Sequence, residues 1–117
     1  MNEKPSRVTL LTDEYRDTLF QWHLAHGDPP KANKLFRRKH ALVKEIRGSA
    51  EGRAAIEALL DDPEVAVRMS AAADSLAWRS ARGEAVLEAV EQADGEYAFD
   101  AKWTLRSYRA GKLNLDW

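Results

Sequence analysis

The sequence predicts an all-α protein of about six helices. Every cluster of apolar residues recurs at helical spacing, and no stretch alternates apolar and polar residues for long enough to predict a strand. Breaks such as Gly27–Pro30 and Asp94–Gly95 separate these clusters, as expected between helices. The 117 residues are enough for one domain with a buried core.

The helices are predicted in chain order from their caps and apolar faces. Residues 1–11 are expected to form a loose lead-in, and Thr12 or Asp13 to cap the first helix. The second helix begins near Pro30, and Lys39 is out of character on its apolar side. Gly48 then ends this helix, and Ser49 caps the third. The predicted helices cover about residues 13–25, 30–47, 50–60, 63–78, 84–92 and 97–110, followed by a tail at 112–117.

The fourth helix lies in the segment DDPEVAVRMSAAADSL, residues 61–76. Asp62 is placed to cap it, and Pro63 suits its first position. An apolar stripe at helical spacing predicts its buried face. The residues of this stripe are Val65, Met69, Ala72 and Leu76.

An internal repeat links this region to the last two helices. Ile56, Leu59 and Leu60 correspond to Val86, Ala89 and Val90 at an offset of 30 residues. A helix, an Asp-Pro turn and an alanine-rich helix form the pattern of a HEAT-like repeat. We therefore predict one domain over residues 1–117, a HEAT-like α-α superhelix of about six helices.

Composition restricts the classes of function. The absence of cysteine excludes disulfides, thiol catalysis and thiolate metal sites. No apolar run approaches membrane-spanning length and no signal peptide is evident, so we expect a cytoplasmic location without membrane contact. Residues 1–50 carry ten Lys/Arg against six Asp/Glu, and residues 51–117 carry eight against thirteen. The first half is therefore basic (+4) and the second acidic (−5).

Motifs for catalysis are missing. There is no Gly-x-Ser-x-Gly elbow and no glycine loop for phosphate, so we expect no enzymatic activity and no cofactor. His23 and His26 lie one helical turn apart, with Asp28 just beyond. Because a second ligand pair is lacking, we expect no metal site here.

Five cations populate the polar side of the second helix: Lys31, Lys34, Arg37, Arg38 and Lys44. They could contact phosphates of a nucleic acid. A solvated amphipathic helix is the favoured interpretation, because a nucleic-acid-binding protein is expected to be more basic overall.

The sixth helix has more apolar residues than one face can hold. Ala101, Leu105 and Tyr108 supply a core face, and Tyr97, Phe99 and Trp103 are additional to it. Either the KLNLDW tail folds over these aromatic residues as a cap, or they contact a partner. Both interpretations remain open from the sequence.

Four segments carry a resemblance to a known family: KANKLFRRKHALVKEIR, LLDDPEVAVRMSAAADSL, EAVLEAV and AKWTLRSYRAGKL. Together they resemble a bacterial family of short HEAT-like proteins described as a domain of unknown function (DUF twenty-nineteen), over roughly residues 13–113. The resemblance implies an α-α superhelix without catalytic residues. Small proteins of this type resemble immunity proteins, which bind a cognate bacterial toxin and block its active site.

We therefore interpret the chain as a protein-binding module, specifically an immunity or antitoxin-like protein, either monomeric or weakly dimeric. The alternative is a small nucleic-acid-binding protein that uses the cations of the second helix. The residues expected to contact a protein partner are Tyr97, Phe99, Trp103, Glu88, Glu91, Asp94, Glu96 and Asp100.

Overall fold

The computed structural model describes residues 5–25 and 27–115. Within them the chain forms six α-helices and two short 3-10 helices, at Leu59–Asp61 and Leu76–Trp78, and no strand. The predicted all-α class and helix number are thus confirmed. The α-helices are α1 (Arg7–Leu24), α2 (Pro29–Ile46), α3 (Ala50–Ala58), α4 (Val65–Ser75), α5 (Ala81–Gln92) and α6 (Ala98–Arg109).

The chain divides into two compact units, residues 1–56 and 57–117. In unit 1, α1 packs against α2, and the core contains Tyr15, Leu19, Val43 and Ile46. In unit 2, α5 packs against both α4 and α6. The predicted HEAT-like superhelix stays a prediction.

Helix α1 begins earlier than predicted. The Ser6 hydroxyl accepts a hydrogen bond from the backbone N–H of Thr9 at 3.1 Å, which is the contact of an N-cap. Residues 7–11 are therefore helical rather than a loose lead-in, and the predicted caps Thr12 and Asp13 lie inside the helix. Thr12 is buried, and its hydroxyl donates to the carbonyl of Val8 at 2.7 Å.

Lys39 lies in the core of unit 1, only 7% exposed. Its Nζ is 4.9 Å from the ring centroid of Phe36 and 5.7 Å from that of Trp22. The centroids of these two rings are 5.6 Å apart. The ammonium group therefore gains cation–π stabilisation from both rings, while the aliphatic stem fills the apolar face of α2.

The start of α3 follows the prediction. Ser49 Oγ accepts from the N–H of Gly52 at 3.0 Å. Gly52 also permits a close approach, because a Cβ at this position would lie 1.7 Å from the carbonyl oxygen of Ile46.

Helix α4 begins at Val65, two residues later than predicted. The Asp62 carboxylate accepts from the N–H of Glu64 at 2.9 Å and so forms a turn before the helix rather than its cap. Arg68 Nη1 donates to the carbonyls of Asp62 and Pro63 at 2.8 and 3.0 Å. These bonds stabilise an extended entry into α4.

The buried face of α4 also differs from the predicted stripe. Val67, Ala71, Ala72 and Ser75 are the buried residues of this helix, whereas Val65 and Met69 are half-buried. Small side chains face α5 because the two helices come close at Gly83. A Cβ on Gly83 would lie 1.9 Å from Ser75 Oγ.

Helix α5 includes residues 81–83, which were predicted as a break. Ser80 is its N-cap, and its hydroxyl accepts from the N–H of Gly83 at 3.0 Å. Arg79 ends the preceding 3-10 helix in the left-handed conformation, with φ of 57°. The two caps are therefore adjacent residues, and no longer loop separates the helices.

Candidate partner-binding surface

Helix α6 has two opposite apolar sides. Ala101 and Leu105 are buried against the rest of unit 2, as predicted. Phe99 and Trp103 point away from this core and are 68% and 47% exposed. Their ring centroids are 6.0 Å apart in an edge-to-face arrangement, and Arg106 Cζ lies 5.5 Å from the Trp103 centroid. Phe99, Trp103 and Arg106 form a surface row at i, i+4 and i+7 that we name the α6 stripe.

The described part of the tail, residues 112–115, follows the C-terminal end of α6. Helix α6 ends with the left-handed Gly111, at φ of 70°, and the N–H of Lys112 donates to the carbonyl of Ser107 at 2.8 Å. Leu113 and Leu115 are half-buried, and packing of the tail over Phe99 and Trp103 stays a prediction. The end of the predicted tail, residues 116–117, lies outside the described residues.

A pocket of about 290 Å³ lies beside Tyr97 in unit 2. We name it the Tyr97 pocket. Its walls come from the first turns of α4, the last turns of α5 and the turn that leads into α6. The lining residues are Val65, Arg68, Val86, Ala89, Val90, Ala93, Gly95, Glu96 and Tyr97.

Acidic residues surround this region. Asp94, Glu96 and Asp100 are exposed, and Glu91 is half-buried. Asp94 adopts the left-handed conformation at φ of 52° and turns the chain from α5 toward the pocket wall at Gly95 and Glu96. Unit 2 as a whole has seven Lys/Arg and twelve Asp/Glu, a formal charge of −5. Its surface field therefore favours cationic partners.

Glu88, one of the residues predicted to contact a partner, forms an ion pair within unit 2. Arg109 Nη2 pairs with the carboxylates of both Glu84, at 2.8 Å, and Glu88. The hydrogen bond that Arg109 donates to Glu84, together with the one it donates to Glu88 and the attraction of both carboxylates, raises the pKa of Arg109. A basic partner that contacts Glu88 would therefore compete with Arg109 for this carboxylate.

Three features of this surface were not recognised in the sequence. Arg106 extends the aromatic pair by one more helical turn, and the i, i+4, i+7 spacing from Phe99 could have revealed it. Val65 was predicted in the buried stripe of the fourth helix and Val86 in the internal repeat, but both are half-buried and line the pocket. No local signal distinguishes a pocket valine from a core valine.

The five cations predicted on α2 are all exposed. Arg38 pairs with Glu14 of α1, and Arg7 of α1 pairs with Glu45 of α2. Carboxylates are thus interleaved with the cations. Lys34, Arg37 and Lys44 remain as a short cationic row along the helix.

Among residues 5–25 and 27–115, no group of three or more His, Asp or Glu side chains is arranged to hold a metal ion. His23 is half-buried, and His26 lies outside the described residues. No helix of the described chain is both long and apolar enough to cross a membrane.

Comparison with known proteins supports the fold alone. No family model and no curated protein sequence matches the chain, so the resemblance to the DUF twenty-nineteen family stays a prediction. The crystal structure of the protein RPA1889 from Rhodopseudomonas palustris CGA009 is similar, with a TM-score of 0.83 and 20% sequence identity. The match covers 97% of this chain and 98% of that one. The same all-α fold therefore occurs in a bacterial protein with a largely different sequence.

Proposed function

We propose that this chain is a protein-binding module that uses the α6 stripe as its contact surface. The observation that carries the proposal is the outward exposure of Phe99 and Trp103 on a helix whose opposite side is already buried. Adjacent exposed aromatic residues with an arginine are enriched at the centres of protein interfaces. Exposed aromatic side chains lower solubility, and a binding role explains why they are present on this helix.

The energy available from this stripe can be bounded. A fully buried aromatic side chain removes about 150–250 Å² from water. With Phe99 68% and Trp103 47% exposed, about 200–250 Å² remains to be buried, worth roughly 5–6 kcal/mol at ~25 cal/mol per Å². Association itself costs about 4–15 kcal/mol. The stripe can therefore anchor an interface but needs further contacts around it.

We further propose that the partner is a bacterial toxin and that the chain acts as an immunity or antitoxin-like protein. The acidic charge of unit 2 supports this role. A toxin that cleaves nucleic acid needs cations at its active site. Exposed carboxylates beside an aromatic anchor could form ion pairs with those cations. The resemblance noted in the sequence points to the same role.

The test is recovery of a partner from the native bacterium with tagged protein. Wild type is compared with Phe99→Ala and Trp103→Ala, and with Phe20→Ala as a matched control. Phe20 is also an exposed aromatic residue, but it lies on α1 in unit 1. We expect wild type and Phe20→Ala to recover a stoichiometric protein partner. The two α6 variants should recover about tenfold less of it, or even less.

Retention of the partner by both α6 variants, with helical circular dichroism unchanged, would remove the stripe from the interface. Sedimentation of the free protein is expected to show a monomer or weak dimer. A tight dimer that the α6 variants dissociate would mean that the stripe binds a second copy instead of a toxin.

The cationic row on α2 favours a second candidate function, binding of nucleic acid. Lys34, Arg37 and Lys44 are exposed and could contact phosphates along one strand. About three such contacts give a slope of log K against log salt near −2 to −3. Retention of labelled duplex DNA that is salt-sensitive and is lost in Arg37→Ala would support this function over the first.

A further inference from the structure

The Tyr97 pocket and the α6 stripe both include a residue at the beginning of α6. Tyr97 is the residue before the first helical position and forms part of the pocket wall. Phe99 lies in the first turn of the same helix. The pocket wall and the first residue of the stripe are therefore two positions apart in the chain, at the same end of α6.

From this arrangement we infer that the Tyr97 pocket receives an apolar side chain from a basic amphipathic helix of the partner. The inference rests on the proposed protein-binding function, because it specifies the partner segment that this surface recognises. It names a second anchor point in addition to Phe99 and Trp103.

The size and lining of the pocket favour a side chain over a larger ligand. Its volume of about 290 Å³ lies at the lower end of the ~300–1,000 Å³ found for small-molecule sites. Val65, Val86 and Val90 provide aliphatic walls. Burial of one leucine or phenylalanine there adds apolar contact to the limited area of the stripe.

Charge around the pocket indicates a cationic segment. Glu96 lines the pocket, and the exposed Asp94 and Asp100 lie close to it in the chain. Arg68 is the cation in the pocket wall, and its Nη1 donates to the carbonyls of Asp62 and Pro63. Lysine or arginine residues flanking the inserted side chain would meet carboxylates and accelerate association.

The spacing of the α6 stripe indicates that the segment is helical. Phe99, Trp103 and Arg106 follow one line along α6, and a second helix laid along this line can interdigitate with it at the same spacing. An amphipathic helix presents apolar anchors at i, i+3, i+4 and i+7 and keeps its cations at the edges. Such a helix matches both the apolar centre and the acidic border.

The experiment titrates the full chain with a synthetic amphipathic helical peptide of leucine and lysine. A leucine and glutamate peptide of the same pattern is the charge control. Methyl resonances of Val65, Val86 and Val90 and the indole resonance of Trp103 are followed by NMR. We expect the lysine peptide to shift the valine methyl and Trp103 resonances together, and the glutamate peptide to bind at least about tenfold more weakly.

Two pairs of variants test the pocket itself. Ala85 and Ala89 are both exposed on α5, but only Ala89 lines the pocket. Ala89→Trp should fill the pocket and lower the affinity for the lysine peptide by about tenfold. Ala85→Trp should change the affinity for the same peptide by less than about twofold. Glu96→Lys should also weaken binding, whereas Asp17→Lys, with the same charge change on α1 in unit 1, should not.

The results separate this inference from the proposed function. Equal binding of the lysine peptide by Ala89→Trp and Ala85→Trp, or unshifted valine methyls at saturation, would overturn the pocket inference. So would equal binding of the two peptides. If the native partner were nevertheless lost in Trp103→Ala, the stripe would remain the contact surface and only the pocket assignment would fall. If instead the α6 variants retained the native partner while the peptide shifted the pocket methyls, the proposed function of the stripe would fail independently.

Discussion

Substitution of Gly83 by alanine should destabilise the protein, although alanine is normally the better helix former. Gly83 lies in the first turn of α5 where this helix meets α4. A Cβ at this position would lie 1.9 Å from Ser75 Oγ and 3.0 Å from the carbonyl oxygen of Ala72. Ser75 is fully buried, and its hydroxyl donates to that same carbonyl at 2.7 Å. The added methyl group therefore meets atoms that have little room to move.

The magnitude follows from two opposing effects. Overpacking of a well-packed core costs about 1–3 kcal/mol, and a contact this short belongs near the upper limit. The gain in helix propensity from glycine to alanine is at most about 1 kcal/mol. We expect a net loss of about 2 kcal/mol in the free energy of unfolding, measured by urea denaturation as a lower midpoint at constant slope.

A double-mutant cycle identifies the cause. Ser75→Ala removes the atom nearest to the added Cβ, so Gly83→Ala should cost less by about 1 kcal/mol or more in that background. Gly27→Ala is the matched control, because a Cβ at Gly27 has no neighbour within 4 Å. If Gly83→Ala were as stable as wild type, or if Ser75→Ala gave no rescue, the inferred close approach of α4 and α5 would be wrong.

Three further substitutions test other contacts, each by urea denaturation with circular dichroism. Lys39→Ala should lower the free energy of unfolding by about 1–3 kcal/mol, because it removes the stem packing and the ring contacts. Lys39→Met keeps the stem packing and should restore most of this loss. Equal losses in Lys39→Ala and Lys39→Met would show that the charge alone matters. Ser80→Ala should cost about 1 kcal/mol through loss of the N-cap of α5, and no loss would contradict this cap. Arg79→Gly should raise the free energy of unfolding by about 0.5–1 kcal/mol, because glycine lacks the Cβ that is strained in the left-handed backbone at φ of 57°. A destabilised variant would argue against that conformation.

Part of the candidate surface could be predicted from the sequence. Tyr97, Phe99 and Trp103 were recognised because α6 has more apolar residues than a single buried face needs. The exposed acidic residues Asp94 and Asp100 were recognised from charge alone. The Tyr97 pocket could not be predicted, because its walls come from two helices and a turn that only packing brings together.

By itself, the sequence determined the all-α class, the number of helices and some of the helix ends that depend on local chemistry. Ser49 is an example, since a cap hydroxyl acts within a few residues of its own position. Only the tertiary structure decided which face of α4 is buried and why Lys39 is in the core. In both cases the deciding contact joins two helices: Gly83 of α5 admits the small residues of α4, and the ring of Trp22 on α1 receives the Lys39 ammonium group. Periodicity shows that a helix has an apolar side, but the helix that packs against it determines which residues become buried.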